Sequence, residues 1–347
     1  MQALILAGGK GTRLRPLTVY TPKPIVPVVN RPLLLYQLET LAKAGITDIT
    51  LSLSYQPDKI EDVLGDGSEL GITLRFLTEP SPMGTAGAYK FAAGSIRETT
   101  VVFNGDILTD LKIDDVIATH RSNHAQATIV LAPVEDPSKF GLVETGSAGE
   151  VSGFLEKPSP EVLAEKNINT INAGVYVLEP NILDLIPAGE NSSFEYDVFP
   201  LIIKRELPFF SHVLSAEYWR DLGTPASYLA AHRDFLHGRI DLPIDSEGNN
   251  SSDVATSSKI DKRSIIGEGC VIKPGAQISG SVLGPGVHVD EKAIVRNSVV
   301  WGHTRISTGA EIDGAIIGRS CYLGRNVSVR PGAVLGDKTS LPDYSKT

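Results

Sequence analysis

Aliphatic residues recur at a fixed spacing through the last quarter of the chain. From residue 266 to residue 334 they are separated by steps of 6, 6 and 5, and this set of steps occurs four times. The positions are Ile266, Ile272, Ile278, Leu283, Val289, Val295, Val300, Ile306, Ile312, Ile317, Leu323, Val329 and Val334. Three short strands and three turns per period describe a triangular coil whose inward aliphatic side chains stack on those of the next coil. The spacing therefore predicts a β-solenoid.

The segments IIGEGCVIKPGAQI and YLGRNVSVRPGAV within this region resemble hexapeptide-repeat proteins. The resemblance implies a left-handed parallel β-helix of about four coils. We expect this domain to serve as an oligomerisation or regulatory platform, and we predict a homo-oligomer. An acyltransferase is the alternative, with His288 or His303 as general base.

The region before the repeat alternates short β-rich runs with longer helical ones. We predict strands at residues 4–7, 49–53, 74–78, 101–104 and 127–134, and helices at residues 33–44 and 225–235. This alternation predicts an α/β fold, a Rossmann-like domain with a mainly parallel sheet. In such folds ligands bind at the carboxyl ends of the strands.

Between Asp241 and Ser258 the sequence turns to Asp, Ser, Asn and Gly, with almost no aliphatic side chains to bury. Such a composition is typical of a linker. We therefore predict a catalytic domain at residues 1–238, a linker at 239–258 and a β-helix at 259–347.

Charge and composition exclude several classes of protein. The 347 residues carry a formal net charge of -9, and a broad nucleic-acid-binding surface would be basic instead. Cys270 and Cys321 lack a metal-ligand spacing, so neither a disulfide framework nor a zinc site is indicated. The apolar run at residues 3–7 is far shorter than the ~20 residues of a membrane span. We predict a soluble cytoplasmic protein that binds neither nucleic acid nor membrane.

Residues 6–27 read LAGGKGTRLRPLTVYTPKPIVP and place a glycine-rich turn directly after a short apolar strand. Gly8, Gly9 and Gly11 lack a Cβ, so the backbone can take positive φ values and present successive N–H groups to an anion at a helix start. Arg13 and Lys23 add positive charge. No Gly-Lys-Ser/Thr follows, and a leucine replaces the third glycine of the dinucleotide fingerprint, which excludes both standard motifs. The segment predicts binding of a nucleoside triphosphate.

This segment resembles the signature of the sugar-1-phosphate nucleotidyltransferases, and the resemblance continues through most of the chain. In that family the glycine loop wraps the triphosphate, and Arg13 and Lys23 match its phosphate-binding cations. The resemblance implies that the nucleotide is bound by Leu6, Ala7, Gly8, Gly9, Gly11, Thr12, Arg13, Lys23, Glu79, Gly84, Thr85, Asn104 and Gly105.

Two aspartates each end a short β-rich run. Asp106 follows a predicted strand in Asn-Gly-Asp, and Asp221 lies in YWRDLGTP. The family resemblance pairs them around one Mg²⁺, which favours hard oxygen ligands and keeps positions open for water and phosphate. The catalytic residues implied by the resemblance are Arg13, Lys23, Asp106 and Lys157.

A second group of motifs indicates which residues bind the sugar phosphate. Glu156 and Lys157 in FLEKP match the family's Glu-Lys-Pro element, in which the lysine contacts the sugar phosphate and the glutamate reaches the sugar hydroxyls. The same resemblance implies sugar contacts for Gly141 in KFGLV, Asn172 in INAGVY and Glu195 in SFEYD.

Glu79, in EPSPMGTAG, bears on the choice of base. A carboxylate only accepts hydrogen bonds, and guanine offers two adjacent donors, whereas thymine and uracil offer one donor flanked by acceptors. Glu79 therefore favours guanine, and thymidylyl-transferring relatives typically have a glutamine there. Met83, with the Pro-Ser-Pro before Gly84, is instead similar to the thymidylyltransferase loop.

The segments PMGTAG, DPSKFGLVE, INAGVYVLEP and YWRDLGTP are most similar to the mannose-1-phosphate guanylyltransferases of this family, including bacterial members with the same solenoid tail. The resemblance implies transfer of a guanylyl group from GTP to mannose 1-phosphate, giving GDP-mannose and pyrophosphate with Mg²⁺ as cofactor. A glucose-1-phosphate thymidylyl- or uridylyltransferase stays open. A non-catalytic regulatory subunit that senses nucleotide-sugars is a further alternative.

Overall fold

The computed structural model describes residues 1–138, 140–156, 168–243 and 252–347. By their contacts these residues form two compact units. Unit 1 comprises Met1–Gly9 and Gln37–Trp219, and unit 2 comprises Lys10–Tyr36 and Arg220–Thr347. We call Lys10–Tyr36 the signature segment. It lies near the N-terminus in sequence but folds with the C-terminal region. Among the described helices, none combines the length and the apolar character that a membrane crossing requires.

Unit 1 is built on a sheet with nine strands in the described residues. These strands are β1 Gln2–Leu6, β4 Asp48–Leu53, β5 Thr73–Thr78, β6 Thr100–Asn104, β8 Ala127–Pro133, β9 Gly141–Thr145, β10 Val151–Glu156, β11 Thr170–Leu178 and β12 Phe209–Val213. The order is β10-β9-β11-β6-β1-β4-β5, and β8 lies between β11 and β12. The pairings β1 with β4, β1 with β6, β4 with β5, and β8 with β12 are parallel.

Helices and shorter strands are also present among the described residues outside the solenoid. The helices are α1 Leu33–Lys43, α2 Pro57–Leu64, α3 Gly84–Phe91, α4 Ile113–Ser122, α5 Phe199–Lys204 and α6 Pro225–Leu236. Short strands are β2 Pro27–Val28, β3 Arg31–Pro32, β7 Ile107–Thr109 and β13 Trp219–Asp221, and single-turn helices include Thr12–Leu14, Leu17–Val19, Lys23–Ile25 and the π-helix Phe194–Val198. Every strand and helix that was predicted lies within a residue or two of an observed one, so the α/β class is confirmed.

Around β11 the pairing changes to antiparallel. β11 pairs in this sense with β6 and β8, and its register with β8 shifts between Asn172 and Tyr176, which marks a bulge. The Tyr176 ring packs against Phe194 and Phe199, with centroids 5.4 and 5.2 Å apart. This aromatic cluster belongs to the main core of unit 1 and fixes the bulge beside the carboxyl end of β6.

The C-terminal part of unit 2 is a three-sided parallel solenoid. The first sheet contains β14 Asp253–Val254, β17 Val271–Ile272, β20 His288–Val289, β23 Arg305–Ile306, β26 Tyr322–Leu323 and β29 Ser340–Leu341. The second contains β15 Lys259–Ile260, β18 Gln277–Ser279, β21 Ile294–Arg296, β24 Glu311–Asp313 and β27 Ser328–Val329. The third contains β16 Ile265–Ile266, β19 Val282–Leu283, β22 Val299–Val300, β25 Ile316–Ile317 and β28 Val334–Leu335. The first paired strand of the solenoid, Asp253–Val254, falls within the stretch that was predicted as a linker. Residues 244–251 of that stretch lie outside the described residues.

The predicted periodicity is confirmed for all but its last position. The aliphatic residues of the series from Ile266 to Val329 are at most 6% exposed. Val334 was predicted to be the next inward residue, but Leu335 pairs with Ile317 and packs on the core instead. The prediction was wrong at this position because the turn after Val329 contains one extra residue, which shifts the strand by one side chain.

Candidate active site

The carboxyl ends of β1 and β6 meet at one edge of the sheet in unit 1. The Gly105 N–H donates to the Leu6 carbonyl at 2.9 Å. A Cβ on Gly105 would lie 3.0 Å from the Cβ of Ala7, so the close approach of the two chain segments requires glycine. The structure therefore brings Leu6, Ala7, Asn104 and Gly105 together, as parallel strand ends are expected to do.

Glu79 extends this edge at the end of β5. Its carboxylate is 8% exposed, and its two oxygens accept from the Ser52 hydroxyl at 2.9 Å and from the Met83 N–H at 3.2 Å. A Cβ on Gly8 would lie 2.9 Å from Glu79 Oε1 and 3.1 Å from Ser54 Oγ. A buried acceptor thus faces the glycine-rich turn. We call the cluster the strand-edge site; it consists of Leu6, Ala7, Gly8, Glu79, Asn104 and Gly105.

The three glycines of the turn differ in their backbone conformation and in the space around them. Only Gly11 has a positive φ, of 60°. Gly8 requires glycine because of the close carboxylate, and Gly9 has open space around the position of a Cβ. The shared explanation predicted from the sequence, positive φ at all three, is therefore wrong for Gly8 and Gly9. The predicted helix start is a single 3₁₀ turn, Thr12–Leu14.

Within unit 2, the signature segment closes on itself at Gly11. A Cβ on Gly11 would lie 2.9 Å from Lys23 Cβ and 3.2 Å from Thr18 Cγ2. The Thr18 hydroxyl also donates to the Gly11 carbonyl at 2.7 Å. Lys23 is buried, and its aliphatic stem packs against Gly11. The closure fixes the backbone between two predicted phosphate-binding cations.

Arg13 and Asp221 approach each other across Gly223, also within unit 2. A Cβ on Gly223 would lie 2.6 Å from Asp221 Oδ1 and 2.9 Å from Arg13 Nη2. The Gly223 N–H donates to the same carboxylate oxygen at 3.0 Å. A predicted phosphate-binding cation and a predicted metal ligand therefore lie side by side. Gly223 was missed from the sequence, where only its place two residues after Asp221 could have indicated it.

Gln37 fixes the turn that carries Asp106. Its Nε2 donates to the carbonyls of Asn104 at 3.0 Å and Ile107 at 2.8 Å, which flank Asp106 on both sides. Gln37 is only 2% exposed. Sequence reasoning missed it, although a glutamine among the apolar residues of α1 is the kind of signal that marks a buried polar contact.

The bulge in β11 brings Asn172 next to Asn104. Asn172 Oδ1 accepts from the Gly174 N–H at 2.8 Å. Gly174 has a φ of 71°, and a Cβ there would lie 2.6 Å from Asn104 Nδ2. Asn104 Oδ1 is buried and has no hydrogen-bond partner among the described residues. A predicted nucleotide residue and a predicted sugar residue thus lie in one corner of unit 1.

Glu195 is the centre of a hydrogen-bond network. Its carboxylate accepts from the hydroxyls of Thr85 at 3.0 Å, Tyr176 at 3.3 Å and Ser193 at 2.5 Å. Asn172 Nδ2 donates to the Tyr176 hydroxyl at 2.9 Å. Burial raises the pKa of Tyr176 well above its usual value, and the negative charge of Glu195 adds to the effect, so the phenol stays protonated and donates. Tyr176, which the sequence analysis did not single out, connects two predicted site residues, Asn172 and Glu195.

The start of α3 is docked closely on residues 190–192. Gly84 has a φ of 73°, and a Cβ there would lie 2.3 Å from the Ser192 carbonyl oxygen. The N–H groups of Ala86 and Gly87 both donate to that oxygen at 3.0 Å. The first N–H groups of α3 therefore donate to the protein's own backbone. Gly84 must be glycine because a side chain would collide with Ser192.

Two further predicted sugar residues, Gly141 and Glu156, lie at the open end of the β9–β10 hairpin. Gly141 is directly opposite Glu156 in the antiparallel register. Lys157, predicted to contact the sugar phosphate, lies outside the described residues. Its role stays a prediction.

Metal binding would depend on few protein ligands. In the parts of the chain that the structure describes, no three His, Cys, Asp or Glu side chains are grouped so that they could hold a metal ion. Asp106 and Asp221 offer carboxylate oxygens only, which is a donor set that suits Mg²⁺ when water and phosphate complete the coordination.

Comparisons with known proteins agree with this geometry. The Nucleotidyl transferase family pattern matches residues 2–238, and the pattern of the EIF2B subunit epsilon LbH domain matches residues 248–346. The second match, together with the three parallel sheets, confirms the left-handed β-helix.

Several relatives match along most of both chains. A mannose-1-phosphate guanylyltransferase of Mycobacterium tuberculosis is 37% identical over 85% of this chain and 83% of its own. The corresponding Pichia angusta protein is 34% identical over 87% and 84%, and one from Arabidopsis thaliana is 32% identical over 88% and 87%.

Among solved structures, a Bacillus anthracis protein assigned as a glucose-1-phosphate thymidylyltransferase, in complex with sucrose, superposes with a TM-score of 0.60 at 25% identity. The superposition covers 67% of this chain and 94% of that one. The family resemblance predicted from the motifs is therefore confirmed, and this chain belongs to the nucleotidyl transferase family.

Proposed function

We propose that this chain transfers a guanylyl group from GTP to mannose 1-phosphate, giving GDP-mannose and pyrophosphate. Three relatives named for this activity support the proposal, each matched over at least 83% of its length. The structural observation that carries it is the approach of Arg13 to Asp221 across Gly223. Transfer of a nucleotidyl group needs a cationic side chain that neutralises the polyphosphate, next to a carboxylate that can hold Mg²⁺. Arg13 and Asp221 provide these two groups.

In the proposed reaction an oxygen of the sugar phosphate attacks the α-phosphorus of GTP, the bond to the bridging oxygen breaks, and pyrophosphate leaves. No protein nucleophile is required. Arg13 and Lys23 bind the triphosphate, and Lys157 binds the acceptor phosphate; such transfers are accelerated chiefly by alignment and by neutralisation of charge. Mg²⁺ held by Asp106 and Asp221 would supply further positive charge at the transferred group.

The other predicted site residues keep their predicted roles in this proposal. In this proposal the strand-edge site, together with Gly9, Gly11, Thr12, Gly84 and Thr85, binds the nucleotide. The sugar is bound beside the β11 bulge by Gly141, Glu156, Asn172 and Glu195. The hydrogen bonds that join Thr85, Tyr176 and Asn172 through Glu195 support a shared corner for both substrates.

Glu79 supports guanine as the base. Each of its carboxylate oxygens accepts one hydrogen bond from the protein, from Ser52 and from Met83. An ionised carboxylate has about four acceptor positions, so two stay available for the adjacent N1–H and N2–H donors of guanine.

A substrate panel tests the proposal. The four common nucleoside triphosphates are combined with mannose, glucose and galactose 1-phosphates, and pyrophosphate release is measured with Mg²⁺. We expect the highest kcat/KM for GTP with mannose 1-phosphate. The highest value for dTTP with glucose 1-phosphate would favour the second candidate, which the Bacillus anthracis structure supports. No release with any pair would favour a regulatory subunit.

A further inference from the structure

The third sheet of the solenoid differs from the other two in its outward side chains. Its outward residues Val282, Val299 and Ile316 are at most 3% exposed and are not part of the solenoid's own core. Outward residues of the first sheet, such as Arg305 and Tyr322, are exposed. The third sheet therefore presents an apolar outer face that is covered within the folded chain.

One end of the signature segment is attached to this sheet. The Asn30 side-chain amide donates to the carbonyl of Leu283 at 2.9 Å. The Trp301 indole N–H donates to the Tyr228 hydroxyl at 3.0 Å, and that hydroxyl donates to the Pro27 carbonyl. Trp301 is 2% exposed, so its hydrogen bond to Tyr228 is shielded from water.

Helix α6 secures the same stretch from a second direction. The Val29 N–H donates to His232 Nε2 at 3.1 Å, and His232 Nδ1 donates to the Tyr228 carbonyl at 2.9 Å. The Arg319 guanidinium lies 5.7 Å from the Trp301 ring centroid, which holds the indole from the solenoid side. Residues 27–30 are thus held by three hydrogen bonds, of which the one from Val29 to His232 is buried.

The other attachment lies on the last coil, directly after the third sheet. A Cβ on Gly336 would lie 3.0 Å from Pro16 Cβ, which is direct packing. The Lys338 ammonium lies 5.6 Å from the Tyr20 ring centroid, within reach of a cation–π contact. These contacts precede Lys23 in the chain, whereas the first attachment follows it.

One attachment lies within the closed loop between Gly11 and Lys23, at Pro16 and Tyr20, and the other lies directly after it, at residues 27–30. Because Gly11 packs on Lys23 and bonds Thr18, a displacement at either attachment is transmitted to this loop rather than absorbed by a flexible linker. Arg13 and Lys23, the proposed triphosphate-binding cations, are carried on it.

We propose that the solenoid sets the position of the signature segment, with Trp301, acting through Tyr228, and Lys338, acting through Tyr20, as positioning residues for triphosphate binding. Neither residue contacts substrate in this account. The inference rests on the proposed function for the identity of the nucleotide, but the mechanical attachment does not depend on it. A solenoid that only joins subunits would leave the nucleotide affinity independent of these two side chains.

Trp301→Phe tests the relay in the full-length protein, because it removes the indole N–H and keeps an aromatic ring. Tyr322→Phe, which changes an exposed aromatic residue of the first sheet, is the matched control. We expect the Kd for GTP with Mg²⁺, measured by calorimetry, to rise about 3- to 10-fold, as the loss of one buried hydrogen bond would produce. The KM for mannose 1-phosphate in Trp301→Phe, and the Kd for GTP in the control, should equal those of the wild type.

Hydrogen exchange provides a readout that needs no substrate. In Trp301→Phe the amides of residues 10–30 should exchange faster, whereas those of β1 and β6 keep their wild-type rates. Lys338→Ala changes an exposed side chain, is expected to fold normally and should weaken GTP binding about twofold. Unchanged GTP affinity and unchanged exchange at residues 10–30 in both variants would overturn the inference. Faster exchange in a protein that fails to use GTP would overturn the proposed function and leave the attachment established.

Discussion

The solenoid and the strand-edge site are held together over very different distances along the chain. In the solenoid each strand pairs with the next strand of its own sheet, as Ile272 does with Val289. At the strand-edge site, Gln37 bonds Asn104 across 67 positions. The stability of the solenoid is therefore distributed over many equivalent contacts, whereas the geometry of the site depends on a few contacts that occur once each. Substitutions should therefore reduce stability in one region and activity in the other.

The largest effect is expected at the proposed metal ligands. Asp106→Asn and Asp221→Asn each remove a charge from the Mg²⁺ site, and kcat should fall by about 10²- to 10⁴-fold with little change in Tm. Steady-state kinetics and thermal unfolding measure both quantities. Asp62→Asn, at an exposed position on α2, is the control. Full activity in both site variants would refute the metal assignment.

The opposite pattern is expected in the solenoid core. Ile306 is fully buried, and Ile306→Ala leaves a cavity between two coils, so the free energy of unfolding should fall by about 2–5 kcal/mol. Denaturant unfolding measures the loss. The folded variant should keep wild-type kcat, because Ile306 belongs to the solenoid's own core and not to the residues that contact the signature segment. A large loss of kcat in folded protein would contradict the division between the two regions.

A pH titration separates the attachment of the signature segment from the solenoid core. Burial lowers the pKa of His232 from 6.5 to about 4. The unfolded chain binds a proton below about pH 6.5 and the folded chain does not, so stability is full above that pH and falls as the pH decreases toward 4. The loss is on the order of 3 kcal/mol, and His232→Gln should remove it, whereas His288→Gln on the exposed first sheet should not. An unchanged pH profile in His232→Gln would count against the buried neutral imidazole.

The choice of nucleotide base should change when Glu79 is substituted. In Glu79→Gln the amide oxygen can still accept from the Met83 N–H, but the amide nitrogen then lies on the Ser52 side and can only donate, so one acceptor becomes a donor. The ratio of kcat/KM for GTP to that for dTTP or UTP should fall about 10- to 100-fold. Competition assays with mixed nucleotides measure this ratio directly. If the ratio stays constant, Glu79 has no part in base selection.

The smallest effect is expected at Gly223. A methyl group there would displace the side-chain ends of Asp221 and Arg13 but no backbone atom. Gly223→Ala should therefore lower kcat/KM about 10-fold while Tm is nearly unchanged. Gly94→Ala, where the added methyl group meets open space, is the matched control. A large drop in Tm would show that Gly223 is structural.

The sequence predicted much of the fold because its signals are local. The inward positions of the solenoid could be predicted from their spacing, and that series was wrong only at Val334, where one extra turn residue moved Leu335 inward. The solenoid is longer than the predicted four or so coils, because its sheets hold five or six strands and Asp253–Val254 had been assigned to the linker. The strands of unit 1 were predictable because buried parallel strands are continuous apolar runs.

The site was predictable only in part. The motif residues were found, but Gln37, Tyr176 and Gly223 were missed because their roles arise from partners distant in sequence or from steric contact after folding. For the same reason the sequence could not tell that Gly8 faces a carboxylate whereas Gly11 needs a positive φ. It also gave no sign that the signature segment folds with the solenoid.

A crystal structure with Mg²⁺ and α,β-methylene-GTP, whose α–β bond cannot be broken, tests the central claim most directly. The account predicts guanine against Glu79, the triphosphate on Arg13 and Lys23, and one metal ion coordinated by Asp106 and Asp221. A nucleotide bound away from the strand-edge site, or a metal ion that neither aspartate touches, would contradict it.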